Sequence, residues 1–243
     1  MFPRLTVAVV LLSLGSLAAA PLTVGKPEES GLSAARLQRL SAAMRGYIER
    51  GEVPGTVMLV ARRGRVVHLE AQGKMDISAN TPLRTDSIFR IASMTKAITS
   101  VAAMMLLEEG RFLLSDPISK FIPEFKNPKV LVVNFPGSNR GATSLVPANR
   151  EITVRDLFTH TAGLPTATSV ALRDELEKSR KEAPAGENLA QYTKRLAKLP
   201  LNFHPGSAWE YGPATTVLGY LVEVVSGQTL DKFFEDRIFK PLG

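Results

Sequence analysis

The sequence predicts a mixed α/β fold of the α+β kind, in which an antiparallel sheet accompanies a helical subdomain. Three observations carry that prediction. Two apolar, β-branched runs, Gly55 to Ala61 and Val66 to Ala71, flank the turn Arg62-Arg63-Gly64-Arg65 and read as a β-hairpin. The apolar stretch from about Ser93 to Glu109 is too long for a strand and reads as a helix. After Val154, segment after segment repeats apolar residues at helical spacing.

In chain order, residues 1–20 have the layout of a secretory signal: a cation at Arg4, an apolar run from Leu5 to Leu17, then Ala18, Ala19 and Ala20. That run is shorter than the roughly 20 residues that span a bilayer, and no second one follows. The expected location is therefore periplasmic or secreted, without stable membrane insertion once the signal is cleaved; Pro21 leaves the cleavage position open. Ser33 is placed to cap a helix in which Leu37, Leu40, Met44, Tyr47 and Ile48 recur at helical spacing and which ends near Gly51. The hairpin follows, and then the helix from Ser93. The interior of that helix, Ala97 to Leu107, is apolar nearly all round, so it is expected to be a buried central helix, closed by Gly110. Asn127 to Asn149 is rich in Pro, Gly, Ser and Asn and reads as an irregular loop with a short strand at Val130 to Val133. Helices are expected at Val154 to Thr159, Leu172 to Glu182, Leu189 to Ala197, Thr215 to Ser226 and Leu230 to Phe239. No internal repeat or linker composition interrupts the chain, so one domain over 25–243 is the simplest organisation.

Composition removes several function classes. With 44% hydrophobic and 22% charged residues over 243 positions, the chain is an ordinary globular one, not a disordered segment or a coiled coil. The excess of 30 Lys+Arg over 23 Asp+Glu gives a formal charge of +7. The basic residues are scattered, however, and the densest group, Arg62, Arg63 and Arg65 around Gly64, is a solvated hairpin tip; no nucleic-acid partner is implied. With no Cys there is no thiol catalysis, disulfide, lipidation cysteine or thiolate metal site. The three His, at 68, 160 and 204, lack ligand spacing, so neither metal nor cofactor is expected.

The chemistry is concentrated in Ser93-Met94-Thr95-Lys96. On the first turn of a helix, a Ser and a Lys three residues apart share a face and can hydrogen-bond. A neighbouring amine whose pKa is lowered by desolvation can take the proton of a hydroxyl, which is otherwise a weak nucleophile. The helix N-terminus adds N–H donors and positive potential that favour a developing oxyanion. A capping Ser beside a solvated Lys would read the same way in isolation. Here, though, Lys96 enters an apolar helix, where an unpaired ammonium is costly, and no other Ser has Lys at +3.

The segment from Ser87 through Arg90, Ile91, Ala92 and Ser93 to Lys96 resembles the nucleophile region of the serine β-lactamase, penicillin-binding-protein and family VIII esterase superfamily. Gly110-Arg111-Phe112-Leu113-Leu114-Ser115-Asp116-Pro117-Ile118 is similar to the segment after that helix in the class C-like branch. Ile152 to Leu164, containing Leu157-Phe158-Thr159-His160-Thr161-Ala162-Gly163-Leu164, resembles its Leu-Leu-Thr-His-Thr-Ser-Gly-Leu signature. The resemblance runs from about Glu28 to Gly243 and implies a β-lactamase-like transpeptidase fold with Ser93 as nucleophile and Lys96 as its partner. It makes Tyr211, in Pro205-Gly206-Ser207-Ala208-Trp209-Glu210-Tyr211-Gly212-Pro213, the third catalytic residue, a general base for acylation and proton donor to the leaving group. A core aromatic beside Trp209 is the other reading of Tyr211. Many relatives have Asn two residues after this Tyr; Pro213 departs from that and favours the esterase branch over β-lactam recognition. The resemblance makes His160 a structural residue beneath the site.

The implied function is an acyl-enzyme hydrolase for a small-molecule ester, β-lactam or D-amino-acid peptide, with carboxylesterase ahead of β-lactamase and D-amino-acid peptidase third. The competing reading is a non-catalytic module, either an acylated sensor or a structural protein. Relatives continue past a Pro-Leu-Gly like Pro241-Leu242-Gly243. The chain is thus expected to be cut off before the end of its fold, without the remaining antiparallel strands, the Lys/His-Thr/Gly-Gly pocket motif and the second oxyanion N–H. An exposed hairpin edge, an exposed part of the 93–109 helix, marginal stability and weak activity are expected to follow. The sequence leaves the oligomeric state open.

Overall fold

A computed structural model of the chain describes residues 22–133, 143–166 and 169–243. The expected signal segment, 1–20, lies outside the described residues. The chain divides into two compact units, one ending at Arg90 and one running from Ile91 to Leu242.

In the first unit, strand β1 (Thr23–Val24) precedes helix α1 (Ala34–Glu49), the hairpin strands β2 (Gly55–Arg62) and β3 (Arg65–Asp76), and β4 (Thr81–Pro82). The Ser33 hydroxyl accepts the Arg36 N–H at 3.4 Å, as a helix cap should. The half-buried stripe of α1 is Leu37, Ser41, Met44 and Ile48, whereas Leu40 and Tyr47, expected in the apolar face, are exposed. The stripe passes through Ser41 because its hydroxyl donates to Glu70 on β3, while Gln72 Nε2 donates to the Ser41 carbonyl at 3.1 Å.

The hairpin pairs from Gly55 opposite Gly73 to Arg62 opposite Arg65, with a bulge at Val60/Ala61. Arg63 (φ 53°) and Gly64 (φ 72°) both take positive φ, the conformation whose twist suits a two-residue hairpin loop. β3 outruns its expected end at Ala71 and pairs with β4, and at its other end β1 runs parallel to it, so the sheet is not purely antiparallel. Leu59 and Leu69 lie directly opposite each other across β2 and β3, 58% and 48% exposed, and among the described residues β2 pairs with β3 alone.

The second unit starts with a 3-10 turn (Ala92–Met94) leading into α2 (Thr95–Glu108). The strands β5 (Lys129–Val133) and β6 (Thr143–Pro147) pair antiparallel; β6 lies in the stretch expected to be irregular apart from Val130 to Val133. The helices α3 (Val154–Thr159), α4 (Arg173–Lys181), α5 (Leu189–Leu196), α6 (Ala214–Ser226) and α7 (Leu230–Phe234) follow the expected order. The last expected helix, Leu230 to Phe239, forms and runs on to Leu242, widening into a π turn over Glu235–Phe239 between α7 and the final turn, Lys240–Leu242.

The central helix of this unit is α6, not α2. Val217, Leu218, Leu221 and Val222 are fully enclosed in α6. α2 buries one stripe, Thr99, Ala102, Ala103 and Leu106, against α6, while Val101 and Met104 are 51% and 41% exposed. An apolar composition all round a helix does not specify which faces find partners, and here the small residues Ala102 and Ala103 define the contact.

α3 is anchored by a buried carboxylate. Asp156 closes a capping box with Thr153, accepting its N–H at 2.8 Å and its hydroxyl at 2.7 Å. It also accepts Arg150 Nη1 and Nη2 at 2.6 and 2.9 Å and the Thr161 hydroxyl at 3.0 Å. Burial pushes the Asp156 carboxyl up, but the bonds from Arg150, Thr153 and Thr161 outweigh it and hold the pKa below its ordinary value. Gly163 (φ 75°) lets the chain after α3 pass so close to Phe203 that a Cβ would sit 2.3 Å from the Phe203 carbonyl oxygen.

Two predictions follow from this packing. Because the folded pKa of Asp156 is depressed, its stabilisation is present above the unfolded carboxylate pKa of about 4 and is lost as pH falls through the folded value. Asp156→Asn should lower stability in urea melts at pH 7 by about 2–3 kcal/mol, Arg150 being partly solvated, and the gap should close on acidification below about pH 4. Equal stability at pH 7 would refute the anchoring role. Leu59→Lys, which places a charge on a strand whose outer edge has no partner among the described residues, should reduce self-association in light scattering by several-fold at unchanged melting temperature; undiminished association would exonerate this edge.

Candidate active site

The nucleophile candidate stands on the 3-10 turn that leads into α2. Ala92, immediately before it, has φ 45°, a left-handed conformation that costs a residue with a Cβ about 1–2 kcal/mol. That kink turns the chain sharply into the helix and presents Ser93 at the surface, with Lys96 half-buried one turn on. Lys96 Nζ donates to Ser93 Oγ at 3.2 Å. The expected pair therefore forms, although Ser93 precedes the α-helix proper and does not lie on its first turn.

Tyr211 comes from the loop between α5 and α6. Its hydroxyl lies 2.5 Å from Ser93 Oγ, and the Lys96 ammonium sits 4.8 Å from its ring centroid. It is not a core aromatic: Tyr211 is 49% and Trp209 66% exposed. The bonds from Lys96 and then Ser93 hold the Tyr211 phenol below its ordinary value of 10.0. All three residues singled out in the sequence are thus mutually bonded.

His160, the left-handed end of α3 (φ 56°), fixes the loop that carries Tyr211. Its carbonyl accepts the Glu210 N–H at 3.0 Å, and its Nδ1 accepts the Gly212 N–H over a long 3.5 Å, so both neighbours of Tyr211 are tied to one residue. Its ring centroid lies 5.0 Å from that of Tyr211. Burial, then the nearby Lys96 charge, lowers the His160 pKa and keeps the imidazole neutral, with Nδ1 free to accept. The ring is thus set against the loop that carries Tyr211.

A part-buried polar cluster around Glu210, next to Tyr211, had no signal in the sequence. Glu210 Oε1 accepts the Thr166 hydroxyl at 2.6 Å and Oε2 accepts Asn202 Nδ2 at 2.7 Å. Its members lie up to 44 positions apart, so no local spacing announces them. Ser41, His68 and Glu70 form another unanticipated group in the first unit, His68 Nε2 lying 3.3 Å from Ser41 Oγ. There the serine gives its proton to a carboxylate acceptor, which ties α1 to β3 without activating a nucleophile. Among the described residues no three His, Asp or Glu side chains gather as a metal would require.

Comparison with known proteins bears out the resemblance. The beta-lactamase family model matches residues 40–243, and the chain belongs to that family. It is 34% identical over 221 residues to esterase EstB of Burkholderia gladioli, covering 89% of this chain and 53% of that protein. It is 31% identical over 209 residues to lovastatin esterase of Penicillium rubens, covering 84% and 51%. Among solved structures, EstCE1, described as a hydrolase with promiscuous acyltransferase activity, matches with a TM-score of 0.72 at 28% identity, over 85% of this chain and 51% of that one. The β-lactamase-like fold expected from the sequence is therefore present, and the chain spans about half the length of the curated relatives it matches.

If His160 acts by holding Tyr211, His160→Ala should lower the turnover number for a p-nitrophenyl ester by about 10- to 100-fold with little change in KM. His160→Asn, which tolerates the left-handed conformation and offers an acceptor, should recover part of the loss. A bell-shaped pH profile whose limb near pH 6–7 disappeared in both variants would instead make the imidazole a proton carrier.

Proposed function

We propose that Ser93, Lys96 and Tyr211 form the catalytic centre of a serine hydrolase that cleaves small-molecule esters through an acyl-enzyme. One observation carries this reading: Ser93 Oγ is bonded to both the Tyr211 hydroxyl, at 2.5 Å, and the Lys96 ammonium, at 3.2 Å. A surface Ser cap beside a solvated Lys would have no reason to recruit a tyrosine from 118 positions away.

The chemistry follows from the charges. The Lys96 ammonium favours the phenolate form of Tyr211, and the phenolate takes the Ser93 proton as Oγ attacks the ester carbonyl. The Met94 and Thr95 N–H groups bond to the Ile91 and Ala92 carbonyls within the 3-10 turn, so the head of α2 favours the oxyanion through its positive potential. As the tetrahedral adduct collapses, the C–O bond to the alcohol breaks and the alcohol leaves with the proton held on Tyr211. Water then attacks the acyl carbonyl, giving its proton to the phenolate; Ser93 leaves from the adduct and recovers that proton, which frees the acid. No cofactor enters the cycle.

Esters are preferred to β-lactams for two reasons. Pro213, at the head of α6, stands where many β-lactam-active relatives carry Asn, and its ring offers no N–H or amide to a lactam side chain. Two relatives of known name are also esterases. A periplasmic or secreted location belongs to the same proposal, resting on the layout of residues 1–20.

The test is hydrolysis of p-nitrophenyl butyrate and nitrocefin. The ester should turn over faster, Ser93→Ala should reduce the rate by about 10⁴-fold or more, and Tyr211→Phe by about 10²- to 10⁴-fold. Ser93→Ala with undiminished hydrolysis would end the proposal. Because Lys96 holds the Tyr211 pKa below 10.0, activity should rise with pH with its midpoint below that value. In Lys96→Ala the rise should move toward pH 10, so the loss should be greatest near neutrality; an unshifted profile would remove Tyr211 as the base.

A further inference from the structure

A cleft of about 380 Å³ opens beside Tyr211 in the second unit. Leu176 of α4, Leu196 of α5, Leu199 and Pro213 supply its apolar wall. Two guanidinium groups line it as well, and their situations differ. Arg195 is neutralised by Glu187 through paired bonds of 2.6 and 2.7 Å, and its Nη1 donates to Ser179. Arg180 is exposed, and no acidic side chain pairs with it among the described residues. It lies one helical turn beyond Leu176, so the stripe that buries Leu176 also delivers Arg180 to the cleft.

A ligand chain that fits this cleft is apolar along its length and meets a single uncompensated cation. Guanidinium is suited to that place because its planar fork binds a carboxylate through two parallel bonds. Tyr192, another wall residue, adds a phenol that burial keeps protonated and able to donate. The cleft shares Tyr211 with the catalytic cluster and Thr216 with a second cavity lined by Lys96. A chain leaving the Ser93 carbonyl past Tyr211 therefore enters it.

We propose that this cleft is the acyl-chain subsite and that its preferred substrates are half-esters of aliphatic dicarboxylic acids, with the free carboxylate bound by Arg180. The inference rests on the ester-hydrolase reading of Ser93 and adds the substrate class. Acyl transfer leaves the chain on Ser93 with its far carboxylate still at Arg180, while the alcohol departs with the proton from Tyr211.

The test uses the full chain carrying Ser93→Ala, titrated with monomethyl adipate and with methyl hexanoate, which differ at the far end of the chain as carboxylate against methyl. The reporter is Trp209, the one tryptophan, whose ring lies 6.3 Å from that of His160. The half-ester should bind about five- to tenfold more tightly, the range of a partly solvated charge-assisted bond. Arg180→Gln should bring the two affinities together, whereas Arg173→Gln, the same charge change outside the cleft, should leave the preference intact. Equal affinities with Arg180 in place would overturn the inference, as would a preference that survives Arg180→Gln. The ester reading is tested separately by mass spectrometry of the chain with Ser93 intact: a butyryl adduct from p-nitrophenyl butyrate upholds it even if the carboxylate preference is absent, and loss of both adduct and binding removes the two proposals together.

Discussion

Everything in the Ser93, Lys96 and Tyr211 cluster depends on how the loop carrying Tyr211 is held. The loop has no regular structure of its own, yet its phenol must stay within bonding distance of a hydroxyl on a different element. His160 accomplishes this by ending α3 in a left-handed conformation, which aims its carbonyl and its ring at the same loop. The N–H groups on either side of Tyr211 are then tied to one residue. Gly212 completes the fit: a Cβ there would lie 2.4 Å from Thr166 Cγ2, so a larger residue would force the loop or the Thr166 side chain to shift.

This arrangement is supported from beneath by Asp156. The carboxylate closes the start of α3 through Thr153 and reaches past the helix end to Thr161, whose carbonyl accepts the Gly206 N–H at 2.8 Å. One buried anion thus links the beginning of α3, its end and the loop before Tyr211. Its low pKa and the high exposure of Tyr211 mark a contrast: the Asp156 carboxylate that maintains shape is enclosed and fully bonded, whereas the Tyr211 phenol lies at the surface.

The electrostatics of the cluster centre on one ammonium. Lys96 acts on three groups at once, donating to Ser93, favouring the phenolate of Tyr211 and disfavouring protonation of His160. A second cation at His160 would compete with Lys96 for the Tyr211 phenol, and partial burial of the imidazole disfavours it.

Much of this was legible in the sequence because it is local. Ser93 and Lys96 share a helical period, Ser33 and Thr153 announce helix starts, and two β-branched runs around Gly64 announce a hairpin. The match of ordered segments around His160 and Tyr211 marked both residues without requiring contact geometry. What failed was inference about which faces are covered: α2, apolar all round, buries one stripe, and α6 takes the central place because its neighbours surround it. Leu40 likewise lost its expected burial to Ser41, whose hydroxyl found Glu70 across 29 positions. Periodicity and capping act over a few residues, so the chain by itself determined its helices, its hairpin and the Ser93–Lys96 pair. Only tertiary structure, through the long-range bonds of His160 and Glu210, decided that Tyr211 would meet them, because hydrogen bonds between distant segments leave no spacing in the sequence to read.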